Sequence, residues 1–366
     1  MVDGSVLLFG TLKPATIILI SIHWSKEVIK MMKTRYFYVA ILAMCVILSA
    51  SVIEAASKKI NVVMNYTIEG DHSPWFVALE KGYFPQQGLD VTIQRGYGSP
   101  DTVKKVATGV AHIGFADMGS LIMAIADGIP AKAIMGGNMS EPCALFSARE
   151  DANITTPKEA EGKTIGGPPA DVCIVFLGAV MEQVGADYSK VKIINMDAPT
   201  RLPMLAAGKI DSAASFYEKE ILFKKALQQA NKTMVSFRFD KYLDKYSCAV
   251  IAHDKIIKEE PGVLKGFIVA LLKGYKDVLK DPDFGGASIM RLHPEFDRDY
   301  IYGSAKTLPD LVWDETTRTK GIGVLSRDKV FKTINITNKY WPLKRSVTPD
   351  EVFTNDFIIW AHSQVK

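Results

Sequence analysis

Residues 60–94 read INVVMNYTIEGDHSPWFVALEKGYFPQQGLDVTIQ, and their pattern decides the fold. Ile60–Met64 is a short apolar run with the length of a buried strand. A polar loop follows, carrying Asn65, Tyr66, Asp71 and His72. Trp75–Lys81 is expected to be a helix, stopped by Gly82. Leu89–Gln94 alternates apolar and polar residues, as a strand with one buried face requires. A strand, a helix and a second strand at this spacing make a parallel pair with a crossover.

Outward from this unit the rhythm continues. Ser99–Gly109 reads as a helix, with Ser99 as N-cap, Pro100 at the first position and Gly109 as the stop. His112–Ala116 is a third strand, Gly119–Asp127 a helix and Ala131–Met135 a fourth strand. After Arg149 the pattern restarts. A short helix opens at Thr155-Thr156-Pro157, and strands are expected at Lys163–Gly166, Lys192–Asn195 and Ser212–Phe216. Helices lie between them at Val172–Val184 and Arg201–Ala207. Cys248–Ala252 is one more strand, and the remainder is mostly helical, with Pro261–Leu279 showing an apolar packing stripe.

Such alternation predicts an α/β protein of two lobes, each a mostly parallel sheet flanked by helices. Residues 57–146 form the first part of lobe one, 147–246 lobe two, and 247–366 the return to lobe one with C-terminal helices. Parallel sheets receive ligands at the carboxyl ends of their strands, where loops and helix N-termini converge. The cleft between two such edges is therefore the expected binding site.

The candidate ligand residues are those that end strands on this edge. In lobe one they are Tyr66, Asp71, His72 and Trp75, then Asp117, Met118 and Ser120, then Asn138. Tyr66 and Trp75 offer aromatic area, while Asp71 and His72 offer polar orientation. Asp71 equally suits a helix cap and His72 a solvated loop position; Asp117 also suits a cap. In lobe two they are Gly167, Pro168 and Asp171 in a Gly-Gly-Pro-Pro loop, then Arg201, Tyr217 and Glu218. Arg201 is either a partner for a substrate carboxylate or sulfonate, or a surface charge.

Residues 1–56 read differently. Lys33 and Arg35 precede a 37–53 stretch that is apolar up to Ile53, and Glu54-Ala55-Ala56-Ser57 follows. That is the layout of a cleavable export signal, with a membrane anchor as the alternative. Residues 1–30 then form an upstream extension. The net charge of +4 falls to +2 for residues 57–366, and no dense basic run occurs. Nucleic acid is not an expected partner. Of four cysteines, Cys143, Cys173 and Cys248 lie beyond the signal, an odd number without CxxC spacing, so no disulfide framework is expected. Cys143 and Cys248 fall on the inferred lobe-crossing segments, as a hinge disulfide or as two buried thiols; Cys173, inside an apolar helix, reads as a small buried residue. No GxSxG, HExxH, phosphate-loop or GxGxxG motif is present, so neither catalysis, cofactor nor metal is expected.

The stretches Met64-Asn65-Tyr66-Thr67, Phe76–Phe84, Gly88-Leu89-Asp90-Val91 and Ile113–Asp117 resemble the substrate-binding proteins of the nitrate/sulfonate/taurine class of ABC importers. These share a domain with the yeast-type thiamine pyrimidine synthases. Leu205–Ser212 is similar to the family's repeated turn of small residue, Gly, any residue, apolar residue and Asp. The resemblance spans about residues 58–285. It implies the fold called periplasmic-binding-protein-like type II, in a monomeric periplasmic protein. That protein would hand a heterocyclic, aromatic or sulfonate-like molecule to a membrane permease and its ATPase. Within the pyrimidine-binding branch the first loop resembles Asp-Trp-Thr-Pro-Asn-x-x-His, which Asn65–His72 matches at Thr67 and His72. The cysteine-rich motif of the synthases is absent, so the resemblance implies a binding protein and not an enzyme.

Overall fold

The computed structural model describes residues 57–168 and 171–365; the expected export signal lies outside the described residues. Ten strands form two five-stranded sheets. They are β1 (Lys58–Val63), β2 (Leu89–Gln94), β3 (Ile113–Asp117), β4 (Ala131–Gly136), β5 (Cys143–Ala148), β6 (Thr164–Gly167), β7 (Lys192–Asn195), β8 (Ser212–Phe216), β9 (Met234–Arg238) and β10 (Cys248–His253). Lobe one has the order β2-β1-β3-β10-β4 and lobe two the order β7-β6-β8-β5-β9. In each sheet the first three strands run parallel. β10 is antiparallel to both of its neighbours, and so is β5. The two lobes therefore share one plan, and the expected two-lobed α/β fold is observed.

Two chain crossings explain the antiparallel strands. Residues 137–142 carry the chain from β4 into β5, and residues 239–247 return it from β9 to β10. Each crossing delivers a strand into the middle of the opposite sheet. β5 was not anticipated as a strand because CALFSA has no alternation: all six residues are buried. A sheet covered on both faces removes the period-two signal. β9 does alternate (its burial runs intermediate, buried, intermediate, buried, intermediate) but was also missed.

Lobe one packs Ile60, Val62, Phe115 and Val250 of its sheet against the helix Pro261–Lys280, which buries Phe267, Ile268 and Leu271. Lobe two packs Leu145 and Ile165 under the helix Val172–Gln183. Each such side chain contributes about 1.5–3 kcal/mol by leaving water. One expected cap shifts: Gly98 is the N-cap of Ser99–Ala107. The Ser99 hydroxyl instead accepts from the Asp117 N–H at 2.9 Å, tying this helix to the end of β3. Among the described residues no helix is long and apolar enough to cross a membrane.

The cysteines correct the sequence expectation. Cys143 is joined to Cys173, with Cα atoms 5.2 Å apart, and Cys248 is a buried free thiol. The reason is tertiary. Cys143 opens β5 beside Phe216 of β8, and Val172–Gln183 packs on that sheet. Its first turn thereby sits over the strand, within bridging reach. Cys248 lies in the other sheet, between β3 and β4, so pairing it with Cys143 would join separate cores. Reduction of the bridge, or Cys173→Ser, is expected to lower stability by about 2–4 kcal/mol for a loop of this size. Thermal melts with and without reductant check this; Cys173→Ser should melt alike in both, while Cys248→Ser should respond to reductant as the unaltered chain does.

Candidate functional site: the interlobe cleft

The carboxyl ends of β1, β3 and β4 in lobe one and of β6 and β8 in lobe two converge, and the predicted residues distribute unevenly there. Asp71 sits in a single 3-10 turn, Gly70–His72, and is buried. Its Oδ2 accepts a long hydrogen bond of 3.4 Å from Asn138 Nδ2, while Asp71 Oδ1, 3.7 Å from His72 Nε2, and Asn138 Oδ1 have no hydrogen-bond partner. His72 is buried too, contrary to the solvated-loop alternative. Its Nδ1 accepts from the Glu69 N–H at 3.2 Å, so Nε2 carries the proton and donates to Asn65 Oδ1 at 3.0 Å. His72 is thus a brace that holds the first loop against β1.

In lobe two, Tyr217 and Glu218 form the turn after β8, and both are buried. The Tyr217 hydroxyl and Glu218 Oε2 lack partners. Burial pushes the Glu218 carboxyl well above its usual range, and the charges of Asp71 and Glu69 push it further. Burial also raises Asp71, with His72 opposing and Glu69 adding to the shift. The carboxylates of the two lobes therefore lie near enough to repel one another, with Lys219 of lobe two 3.1 Å from Glu69 of lobe one. The Tyr300 hydroxyl, unpartnered and buried, is raised by burial and by Glu69, Glu218 and Asp71. Buried polar atoms are nearly always paired, so Asp71 Oδ1, Asn138 Oδ1 and Glu218 Oε2, unpaired where the lobes meet, are the candidates to contact a polar molecule. Asp71 Oδ1 and Asn138 Oδ1 offer acceptors, while the tyrosine hydroxyls and the Glu218 carboxyl, raised by burial, can donate as well as accept.

Other candidates have structural work to do. Trp75 is fully buried and packs edge-on against Phe115, with centroids 5.6 Å apart, and against Phe267 at 5.8 Å. Its stacking area belongs to the core, because the helix Ser73–Glu80 turns it inward. Met118 is likewise a core residue. Asp117 caps the helix Met118–Ala126 by accepting from the Ser120 N–H at 3.1 Å, which also uses that donor. A Cβ at Gly167 would meet Ile174 at 3.0 Å, so this glycine admits the helix behind it. Pro168 is half-buried, and the two residues after it lie outside the described residues. Asp171 caps Val172–Gln183 at 2.8 Å from the Cys173 N–H. Arg201 is not a surface charge: it is buried, 3.4 Å from Asp171 and donating to the Ala214 carbonyl at 2.7 Å. Tyr66 is exposed, its ring centroid 5.6 Å from Lys219 Nζ.

Sequence reasoning missed Glu69, Lys219 and Tyr300. Glu69 and Lys219 directly neighbour the candidate turns, a signal that was available. Tyr300, in the helix Arg298–Ala305, reaches the site only through packing of that helix against the first loop. Among the described residues no group of three or more His, Cys, Asp or Glu is placed to hold a metal ion.

A two-lobed α/β clamp with an acceptor-rich cleft defines the class, and comparison with known proteins defines the family. A family profile described as NMT1/THI5 like matches residues 69–284, and the chain belongs to that family. A formylaminopyrimidine-binding protein of Halalkalibacterium halodurans is 26% identical over 63% of this chain and 69% of its own length. A 4-amino-5-hydroxymethyl-2-methylpyrimidine phosphate synthase of Uromyces fabae is 25% identical over 78% of this chain and 88% of its own length. Among solved structures, the periplasmic aliphatic sulphonate-binding protein SsuA of Escherichia coli superposes with a TM-score of 0.64. It is 11% identical and covers 80% of this chain and 91% of its own. The expectation that the chain is not an enzyme does not stand. Relatives named as synthases align over most of their length at the same identity as the binding protein. Absence of a cysteine-rich motif does not outweigh that.

Proposed function

We propose that this chain is an exported solute-binding protein that closes on an aminopyrimidine-like nitrogen heterocycle and presents it to an ABC importer. The observation that carries this reading is the set of unpartnered acceptors, Asp71 Oδ1, Asn138 Oδ1 and Glu218 Oε2, offered from both lobes. An amino group beside a ring nitrogen supplies the N–H donors such acceptors need. A sulfonate or nitrate would instead face Glu69, Asp71 and Glu218, while Arg201 is engaged by Asp171 and Lys219 by Glu69. The pyrimidine named for the Halalkalibacterium relative agrees with that preference. The disulfide supports export, since such bonds persist in oxidising compartments. A pyrimidine-forming activity is the second reading, favoured by the synthase relatives.

The test is calorimetry of residues 57–366 with 4-amino-5-hydroxymethyl-2-methylpyrimidine, taurine and nitrate. Binding of the pyrimidine alone is expected. Glu218→Gln and Asp71→Asn should each weaken it about 10- to 100-fold, the equivalent of about 1.4–2.7 kcal/mol, the cost of leaving a buried hydrogen-bonding group mismatched. Tight taurine binding would overturn the ligand class. Appearance of a pyrimidine phosphate when the protein is incubated with a phosphate-bearing nitrogen heterocycle as precursor would decide for the second reading.

A further inference from the structure

We propose that Glu69 and Lys219 form a latch that holds the lobes together and sets the lifetime of the bound state. This rests on the reading that the ligand sits between the lobes. Glu69 stands in the lobe-one loop, two residues before Asp71, and Lys219 follows Glu218 in lobe two. Lys219 Nζ lies 3.1 Å from Glu69 Oε1, with side chains only 18% and 8% exposed. The ammonium also lies 5.6 Å from the ring centroid of Tyr66 in lobe one and 6.0 Å from that of Phe216 in lobe two. One cation thus touches both lobes at the mouth of the candidate site. Separating the lobes would break this pair and return both charges to water.

The other ion pairs between the lobes are less suited to that role. Lys225 and Asp299 are 3.6 Å apart, Lys339 and Glu182 are 2.5 Å apart, and both pairs are more than half exposed, so water and salt screen them. Arg238 and Asp310 lie beside the first crossing, where Ser140 Oγ donates to the Asp310 carbonyl at 3.4 Å. A rotation about the crossings moves that neighbourhood least. Glu69 is itself held firmly. The His72 N–H donates to the Glu69 backbone carbonyl at 3.1 Å, His72 Nδ1 accepts from the Glu69 N–H at 3.2 Å, and Thr67 Oγ1 lies 3.4 Å from Glu69 Oε1. A fixed acceptor facing a long, flexible lysine is the geometry of a catch. Lys219 is a positioning residue here: it acts on the ligand by keeping Glu218 against Asp71.

The experiment compares the wild-type chain over residues 57–366 with Lys219→Met, Glu69→Gln and the exchanged pair Glu69→Lys/Lys219→Glu. Small-angle scattering reads lobe separation without any ligand, and stopped-flow mixing with 4-amino-5-hydroxymethyl-2-methylpyrimidine reads dissociation. The single variants are expected to show a larger radius of gyration. Their dissociation should be faster by about tenfold or more, since loss of one partner of a buried charge pair acts on the off-rate. The exchanged pair should recover both. Single variants that scatter like the wild type overturn the latch, and so does an exchanged pair that stays as open as the single variants. If the wild type binds no pyrimidine, the proposed ligand fails, while scattering still decides the latch.

Discussion

Lys245→Met is expected to lower stability by about 3–5 kcal/mol, and Lys245→Met combined with Glu141→Leu to recover most of it. Lys245 is completely buried, on the second lobe crossing, and pairs with Glu141 on the first. Asp117 Oδ2 is 3.8 Å away, and the ammonium lies 4.4 Å from the Phe176 ring centroid. Burial opposes its charge, but Glu141 and Asp117 outweigh burial and hold the ammonium above its ordinary range. Removing the cation alone strands the Glu141 carboxylate where water cannot reach it. Removing both leaves an apolar contact between the crossings, and Asp117 is still partly solvated and still caps its helix. Equilibrium urea unfolding of the two single variants and the double variant gives the coupling directly. Equal midpoints for Lys245→Met and the double variant would show that the pair contributes nothing as a pair.

Gly70→Ala should be among the most damaging added methyl groups in the described residues, costing about 3 kcal/mol at the upper end of overpacking effects. A Cβ there would stand 2.1 Å from the Ala305 nitrogen, 2.3 Å from the Ile301 carbonyl oxygen and 2.4 Å from Ser304 Oγ. Two of these are backbone atoms of the helix Arg298–Ala305, so no side-chain rotation relieves the clash. The Gly70 N–H also donates to Ser304 Oγ at 2.8 Å, a bond that is lost when loop and helix separate. Because Glu69, Asp71 and His72 flank Gly70, pyrimidine affinity should fall with stability. Gly262→Ala is the control: nothing lies within 4 Å of a Cβ there, in the first turn of a helix. It should be neutral or stabilising by up to about 1 kcal/mol. Denaturation midpoints and calorimetry on the same samples separate the two outcomes.

The strand and helix rhythm from Ile60 onward was legible because local patterning depends on which face of each element meets water. Leu89–Gln94, Lys192–Asn195 and Ser212–Phe216 appear with the bounds that pattern predicts. The two-lobed plan followed from counting such units, and Asp71, Asn138, Tyr217 and Glu218 followed from asking which residues end strands on the ligand edge. Trp75 misled because an aromatic side chain in a strand-to-helix loop region satisfies both a stacking role and a core role. Only the facing elements, which bring Phe115 and Phe267 to it, decide between them.

By itself, then, the sequence determined most of the elements, their order, the doubled α/β architecture and the edge proposed to receive a ligand. Tertiary structure alone decided that Cys143 meets Cys173, that Lys245 meets Glu141 across 104 residues, and that Gly70 meets Ser304 across 234. It also decided that Lys219 of one lobe meets Glu69 of the other. The physical reason is that propensity and solvent exposure act over a few residues of chain. Partnerships between distant charges arise only where the two crossings and the returning helices close the lobes upon each other.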